Sequence, residues 1–170
     1  MGRTAKSGQD GEFEEFFAAT WERAVALGVR MGLSRPDSED VALDALAVAC
    51  DRWARVRDLP WRDGWVLKVC GNRALRQLKR NSRSARFASP PARGLEEEVT
   101  DRLALRSGLA GLSRRQREVV TLRYLADMPE AQVAEVLGLE VGTVKQHASR
   151  GRAALKGALG VVEPGGECGR

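Results

Sequence analysis

The sequence predicts an all-α chain: two small helical domains joined by a flexible basic linker, the second containing a helix-turn-helix. Three observations predict it. Apolar residues make up 43% of the chain but aromatic residues only 5%, so the cores consist mainly of Ala, Leu and Val, which favours helices. Apolar positions recur at spacings of three and four, and no stretch alternates as a strand does. Between the two periodic halves, Asn81 to Gly94 holds three Ser, two adjacent Pro and several Arg without apolar periodicity, which is linker composition. The predicted boundaries are a first domain over 10–82, a linker over 83–102, a second domain over 103–160 and a flexible tail over 161–170.

In chain order, Met1 to Gly11 is small and polar and is expected to be disordered. Phe13 to Met31 forms the first helix, with Phe13, Phe16, Phe17, Trp21, Val25 and Val29 as its apolar stripe. Gly32 ends it. Ser34, Arg35 and Pro36 then supply a cap and an early Pro for a second helix, expected from about Asp37 to Val56. That helix offers Val41, Leu46, Ala49 and Trp53 to the core. Its first turns hold Glu39, Asp40 and Asp44, which suit the positive end of a helix whatever else they do. A loop around Leu59-Pro60 leads to a third helix over about Gly64 to Arg80, burying Trp65, Val69, Leu75 and Leu78. Another helix lies within Glu96 to Ser107. Ser113 and Gln116 form a capping box, opening a helix that runs to about Ala126 with Val119, Val120 and Leu122 inward.

The most informative stretch is Glu130 to Arg152. Residues 130–137 form an amphipathic helix with Ala131, Val133, Ala134 and Leu137 inward. Gly138 breaks it, since a tight turn needs a residue that tolerates positive φ. A second helix starts near Val141 with Val144, Ala148, Gly151 and Leu155 inward. A small residue at 134, a turn Gly at 138 and a buried Val at 144 are what a helix-turn-helix needs where its helices cross, reverse and lock. The opposite face carries Lys145, Gln146, Ser149, Arg150 and Arg152. No acidic residue lies between Val141 and Gly157. Such a face suits a major groove and its flanking phosphates.

Charge is unevenly spread around a net of +5. From Asp10 to Asp51 acidic residues outnumber Arg about threefold, whereas from Trp53 to Arg86 only Asp58 and Asp63 oppose ten basic residues. One acidic and two basic surfaces suggest a protein partner plus nucleic acid. The three cysteines, Cys50, Cys70 and Cys168, form no C-x-x-C, and His147 is the only histidine. No zinc ligand set exists, so Cys50 and Cys70 read as small buried hydrophobes. No cofactor, metal site or catalytic residue is predicted: there is no Gly-rich phosphate loop with Lys-Ser/Thr and no clustered carboxylates. No apolar run approaches the roughly 20 residues that span a bilayer, and the polar start is no signal peptide. The expectation is a cytoplasmic protein, not an enzyme.

With both halves placed, the chain resembles the extracytoplasmic-function sigma factors of bacterial RNA polymerase, over roughly residues 12–82 and 103–158. Leu112 to Val120 and Leu122 to Leu125 resemble the opening of region four. Val133 to Gly138 and Val141 to Lys145 resemble its helix-turn-helix, and Arg150, Arg152, Ala153, Ala154 and Leu155 continue the pattern. The resemblance implies that Thr143, Lys145, Gln146, Ser149, Arg150 and Arg152 meet the minus-35 element. Phe13 to Phe16 and Asp37 to Asp40 resemble the looser region two. Its clamp-gripping surface would comprise Glu39, Asp40, Leu43 and Asp44. The family usually has Gln-Glu followed two residues later by Phe; here Leu43, Asp44 and Leu46 stand instead, so the Gln hydrogen-bonding group is lost. Glu140 also replaces the usual capping Ser before the recognition helix.

Trp65, Val69 and Asn72 match the family's aromatic-Val-Asn spacing. The segment that melts and holds the minus-ten element would use Trp61 and Trp65 as aromatic platforms, with Asn72. Arg73, Arg76, Lys79 and Arg80 would line its basic channel. Core packing is the competing role for Trp65. The resemblance implies core RNA polymerase and promoter DNA as partners, leaves open an anti-sigma factor, and implies no membrane. The alternative is a helix-turn-helix transcriptional regulator of response-regulator type, whose receiver domain would need strands that residues 1–100 do not show. A helical adaptor has no reason to keep an acid-free recognition helix, and an enzyme acting on DNA lacks its carboxylates or metal ligands.

Overall fold

The structure, a computed structural model, describes the backbone of residues 3–85 and 96–159 and the side chains of residues 11–82 and 103–159. Helix α1 spans Arg3–Arg30, α2 Arg35–Asp51, α3 Trp53–Val56 and α4 Arg62–Ala85. The second half holds α5 (Glu96–Gly111), α6 (Arg114–Val120), a wider π-turn (Thr121–Leu125), α7 (Glu130–Leu137) and α8 (Val141–Leu159). No strand occurs among the described residues, as predicted. Of the predicted linker, residues 86–95 lie outside the described residues, as does the tail. Both flanks of that gap are helical, since α4 continues to Ala85 and α5 begins at Glu96.

Helices α1, α2 and α4 pack on one another as the first bundle. The buried line of α1 is Phe16, Thr20, Ala24 and Leu27, a helical stripe that Met31 continues just past the helix end. The predicted stripe is only partly right: Val25 and Phe16 are buried, Phe13, Phe17 and Trp21 are half-buried, and Val29 is exposed. Two helices, not one, cover α1, and they select the face between them. Helix α1 also begins at Arg3, so the expectation of a disordered Met1–Gly11 does not hold over its described part. Ser34 caps α2 as predicted, its Oγ accepting the Asp37 N–H at 3.2 Å. The predicted second helix breaks at Arg52 into α2 and α3. That break turns Trp53 into an aromatic cluster, 5.1 Å from the Phe13 ring and 5.0 Å from Phe16. Cys50 is exposed, against expectation, because it falls one step past the Ser38–Val41–Ala45–Ala49 face. Cys70 is buried, its thiol donating to the Ala24 carbonyl; burial pushes its pKa up to about 12.

Ser113 and Gln116 form the capping box of α6. Beyond the π-turn, Asp127 takes φ 59°, a left-handed conformation that a short polar side chain tolerates. One hydrophobic cluster runs without interruption from Phe16 through Leu78 of the first half to Val119 through Ala148 of the second. A smaller one gathers Leu109, Leu112 and Val120.

Candidate nucleic-acid interface

Helix α7 ends on Gly138, whose φ of 63° and ψ of 46° place it in the left-handed region. Its N–H and that of Leu139 return to the carbonyls of the last turn, the latter to Ala134 at 2.9 Å. The chain thereby reverses in three residues and α8 starts at Val141. Val144 and Ala148 are buried beneath it, and Ala134 is small and buried at the crossing. Gly151 is buried for a further reason: a Cβ there would lie 2.5 Å from Val120 Cγ2. Helix α8 thus presses on α6 as well as α7. Val133, Ala134 and Leu137 are inward as predicted, but Ala131 is exposed and Val136 is buried instead. Val136 faces the first half of the chain, a contact that the periodicity of a single helix cannot reveal.

This packing leaves Lys145, Gln146, Ser149, Arg150 and Arg152 exposed together, with Thr143 half-buried beside them. Lys145 Nζ stands 3.9 Å from Glu130 Oε2 in a largely exposed pair, an interaction weak enough to yield to phosphate. Beneath this face a polar network fixes the frame. The buried Glu118 carboxylate accepts from Arg114 at 3.1 Å and Arg115 at 3.0 Å. Arg117 donates to the carbonyls of Leu109, Ala110 and Leu112, closing the end of α5. In the sequence these residues stand out only as part of the region-four pattern, although the spacings of four and three from Arg114 and Arg115 to Glu118 announce such pairs.

The second basic surface lies on α4. Asn72, Arg76, Lys79 and Arg80 are exposed; Trp61, Trp65 and Arg73 are half-buried. Both tryptophans pack against the core with one side, so Trp65 has a structural role and still shows an edge to solvent. Arg80 donates to Gln77. Arg73 donates to Asp44 at 2.8 Å, joining the α4 surface to the acidic one on α2. There Leu43 is 53% exposed, an apolar side chain in open water, flanked by exposed Asp40 and Asp44 and by Glu39, which accepts from Arg35 at 2.9 Å. At the start of α4, Asp63 accepts from Arg23 at 2.7 Å and from Gln132 at 3.1 Å. Burial pushes the Asp63 carboxyl up. The Arg23 bond and charge, the Gly64 N–H and Gln132 outweigh it and hold the carboxyl below its ordinary value of 3.8. No metal-binding cluster occurs among the described residues.

Residues 102–155 match the family described as Sigma-70, region 4. Over 156 residues, the protein is 28% identical to the RNA polymerase sigma-E factor of Streptomyces coelicolor, the match covering 87% of this chain and 86% of that one. The sigma-E factor of Streptomyces avermitilis is 27% identical, over 87% and 85%. Among solved structures, CnrH in complex with the cytosolic domain of CnrY matches with a TM-score of 0.57 and 26% identity, over 87% of both chains. The sigma factor RpoE in complex with the anti-sigma factor NepR from Bartonella quintana shares the fold, with a TM-score of 0.55 and 22% identity over 88% and 97%.

Proposed function

We infer that the chain is an extracytoplasmic-function sigma factor of the sigma-70 family: it binds core RNA polymerase and directs promoter-specific initiation of transcription. The observation that carries this is the exposed, acid-free face of α8, held on a helix-turn-helix inside the segment that matches region 4. The response-regulator alternative is not favoured, because the match to sigma-E factors extends across both halves of the chain.

In this reading α8 enters the major groove of the minus-35 element. Arg150 can give two parallel bonds to guanine and Gln146 can reach a base edge. Lys145, a flexible point charge near the helix start, serves phosphate. Helix α4 holds the melted minus-ten strand, with the free edges of Trp61 and Trp65 stacking on bases and Asn72, Arg73, Arg76, Lys79 and Arg80 following the backbone. Glu39, Asp40, Leu43 and Asp44 meet the polymerase clamp. The domain limits that go with these roles are 10–82 and 103–160. The structural neighbours were captured with CnrY and NepR, so an anti-sigma factor is a fitting partner here too. The protein regulates rather than catalyses, and it works where the polymerase is, in the cytoplasm. No described helix is long and apolar enough to cross a membrane.

Run-off transcription tests the reading. Core polymerase plus this protein should give discrete transcripts from a subset of genomic fragments, and core alone should not. Identical products with and without the protein would refute it.

A further inference from the structure

The C-terminal part of α4 and the middle of α5 border a cleft of about 110 Å³. A buried water needs only about 10–15 Å³ of such space, so the cleft has room for a group of several heavy atoms. On α4 it is bordered by Leu78, Lys79 and Ser82, on α5 by Leu103, Arg106 and Ser107. Spacings of three and four bring each set to one side of its helix. Leu78 is buried and Leu103 exposed, so apolar walls run from the core out to water. The polar groups between them are two cations and two hydroxyls, and no described acidic side chain borders the cleft.

Arg106 is the group that this arrangement leaves unanswered. Its Nη2 donates to the Leu78 carbonyl and to Ser82 Oγ, and the Ser82 hydroxyl donates its own proton to the same carbonyl at 2.9 Å. These bonds pin the guanidinium against α4. Its Nε and Nη1 find no acceptor among the described residues. Other half-buried arginines are matched by carboxylates: Arg57 by Glu12 at 3.2 Å and Arg73 by Asp44 at 2.8 Å. Arg106 has no such partner among the described residues, and burial pushes its pKa below the usual range. A cation drawn partly out of water costs free energy until an anion meets it.

We propose that the cleft between α4 and α5 is a binding site for a phosphate-type oxyanion, either inorganic phosphate or the phosphate end of a small molecule. Lys79 Nζ, the free Nε and Nη1 of Arg106 and the Ser107 hydroxyl are its donors. A guanidinium edge gives two parallel bonds to an oxyanion, and a lysine adds a flexible point charge. A planar carboxylate would be satisfied by the Arg106 edge alone. Donors arriving from two helices suit a tetrahedral anion, which presents oxygens in several directions. The site does not depend on the sigma-factor reading, in which a DNA strand would compete for Lys79 and leave Arg106 and Ser107 untouched.

Thermal unfolding of the full chain in sodium phosphate, against sodium chloride of equal ionic strength, tests it. A ligand that binds only the folded state raises the midpoint, by about 3–6 °C at ten times its dissociation constant for a chain of this size. The wild type should show that rise. Arg106→Gln should need at least tenfold more phosphate for the same rise. Arg55→Gln, which removes a charge from an exposed position on α3, should respond as the wild type does. Where Arg106→Gln does not fold, Ser107→Glu decides: the position is exposed, its carboxylate competes for Arg106, and the phosphate response should vanish. Equal wild-type midpoints in the two salts overturn the proposal, as does an undiminished response in Ser107→Glu. An equal loss in Arg106→Gln and Arg55→Gln overturns it too, since phosphate would then be acting on net charge. A response that falls in Lys79→Gln but in neither cleft variant moves the anion to the outer face of α4 and overturns the site. Phenyl phosphate separates the two sources. A response at lower concentration than inorganic phosphate assigns the site to the phosphate end of a molecule whose apolar body lies on Leu78 and Leu103; an equal or weaker one assigns it to free phosphate.

Discussion

Two glycines of α8 give opposite predictions for the same substitution. At Gly151 an added methyl would sit 2.5 Å from Val120 Cγ2. Val120 is β-branched, 2% exposed and clustered with Leu109 and Leu112, so it has little room to turn aside. Overpacking of that kind costs about 1–3 kcal/mol, and alanine returns about 1 kcal/mol of helix propensity. Gly151→Ala should therefore destabilise by about 1 kcal/mol. At Gly157 the same methyl meets nothing within 4 Å, so Gly157→Ala keeps the propensity gain, up to about 1 kcal/mol near the helix end. At roughly 2–4 °C per kcal/mol for a chain of this size, the two variants should melt about 4–8 °C apart, on either side of the wild type. Thermal unfolding followed by circular dichroism at 222 nm measures this, with unchanged helix content below the transition as the control. If Gly151→Ala melts as high as Gly157→Ala, the close approach of α8 to α6 is not what holds the recognition helix in place.

Three further outcomes follow. Arg150→Ala should relax base preference at one position of the minus-35 element, where a bidentate guanine contact contributes about 1–3 kcal/mol of discrimination, whereas Lys145→Ala should weaken all sequences alike; titration against single-base promoter variants separates them. Asp44→Arg should reduce retention of core polymerase in a pull-down and, by removing the partner of Arg73, leave binding of a minus-ten single strand undiminished. For Asp63, a folded-state pKa below the ordinary 3.8 means that its stabilisation is present above that value and is lost as pH falls through the lower, folded one. The stability gap between the wild type and Asp63→Asn, from urea unfolding at a series of pH values, should thus be open at neutral pH and close below pH about 4; a gap constant down to the acid limit would remove the Arg23 and Gln132 contacts from the account.

Most of the local structure was legible because its causes are local. Ser34, Ser113 and Gly138 act within three or four residues of themselves, and each does what its neighbours dictate. The α8 face was legible for the same reason: helical spacing decides which residues go inward together. What escaped depends on partners distant in the chain. The inward side of α1 is set by two helices at once, so Leu27 is buried and Val29 is not. Val136, Gly64 and Gly71 look unremarkable along the chain and acquire meaning only when α7 and the π-turn settle on α4. Leu43 and Asp44 fall within the helix that the capping signals predict and take their clamp-binding role from resemblance alone, and the Arg73 pairing with Asp44 could not be foreseen from either helix alone.

The contacts across the seam between the two halves differ in what they demand of evolution. Arg30 and Lys68 address main-chain oxygens, those of Leu125 and Val136. Every amino acid offers that acceptor, so drift at 125 or 136 leaves both bonds standing. Gly64 and Gly71 tolerate no such drift, since any larger residue enters space already occupied. The seam is thus strict on the α4 side and permissive on the other. Descendants of this chain can rewrite much of the surface that docks, keeping the grip, while a single methyl gained at residue 64 would produce a lineage in which the two halves no longer rest together.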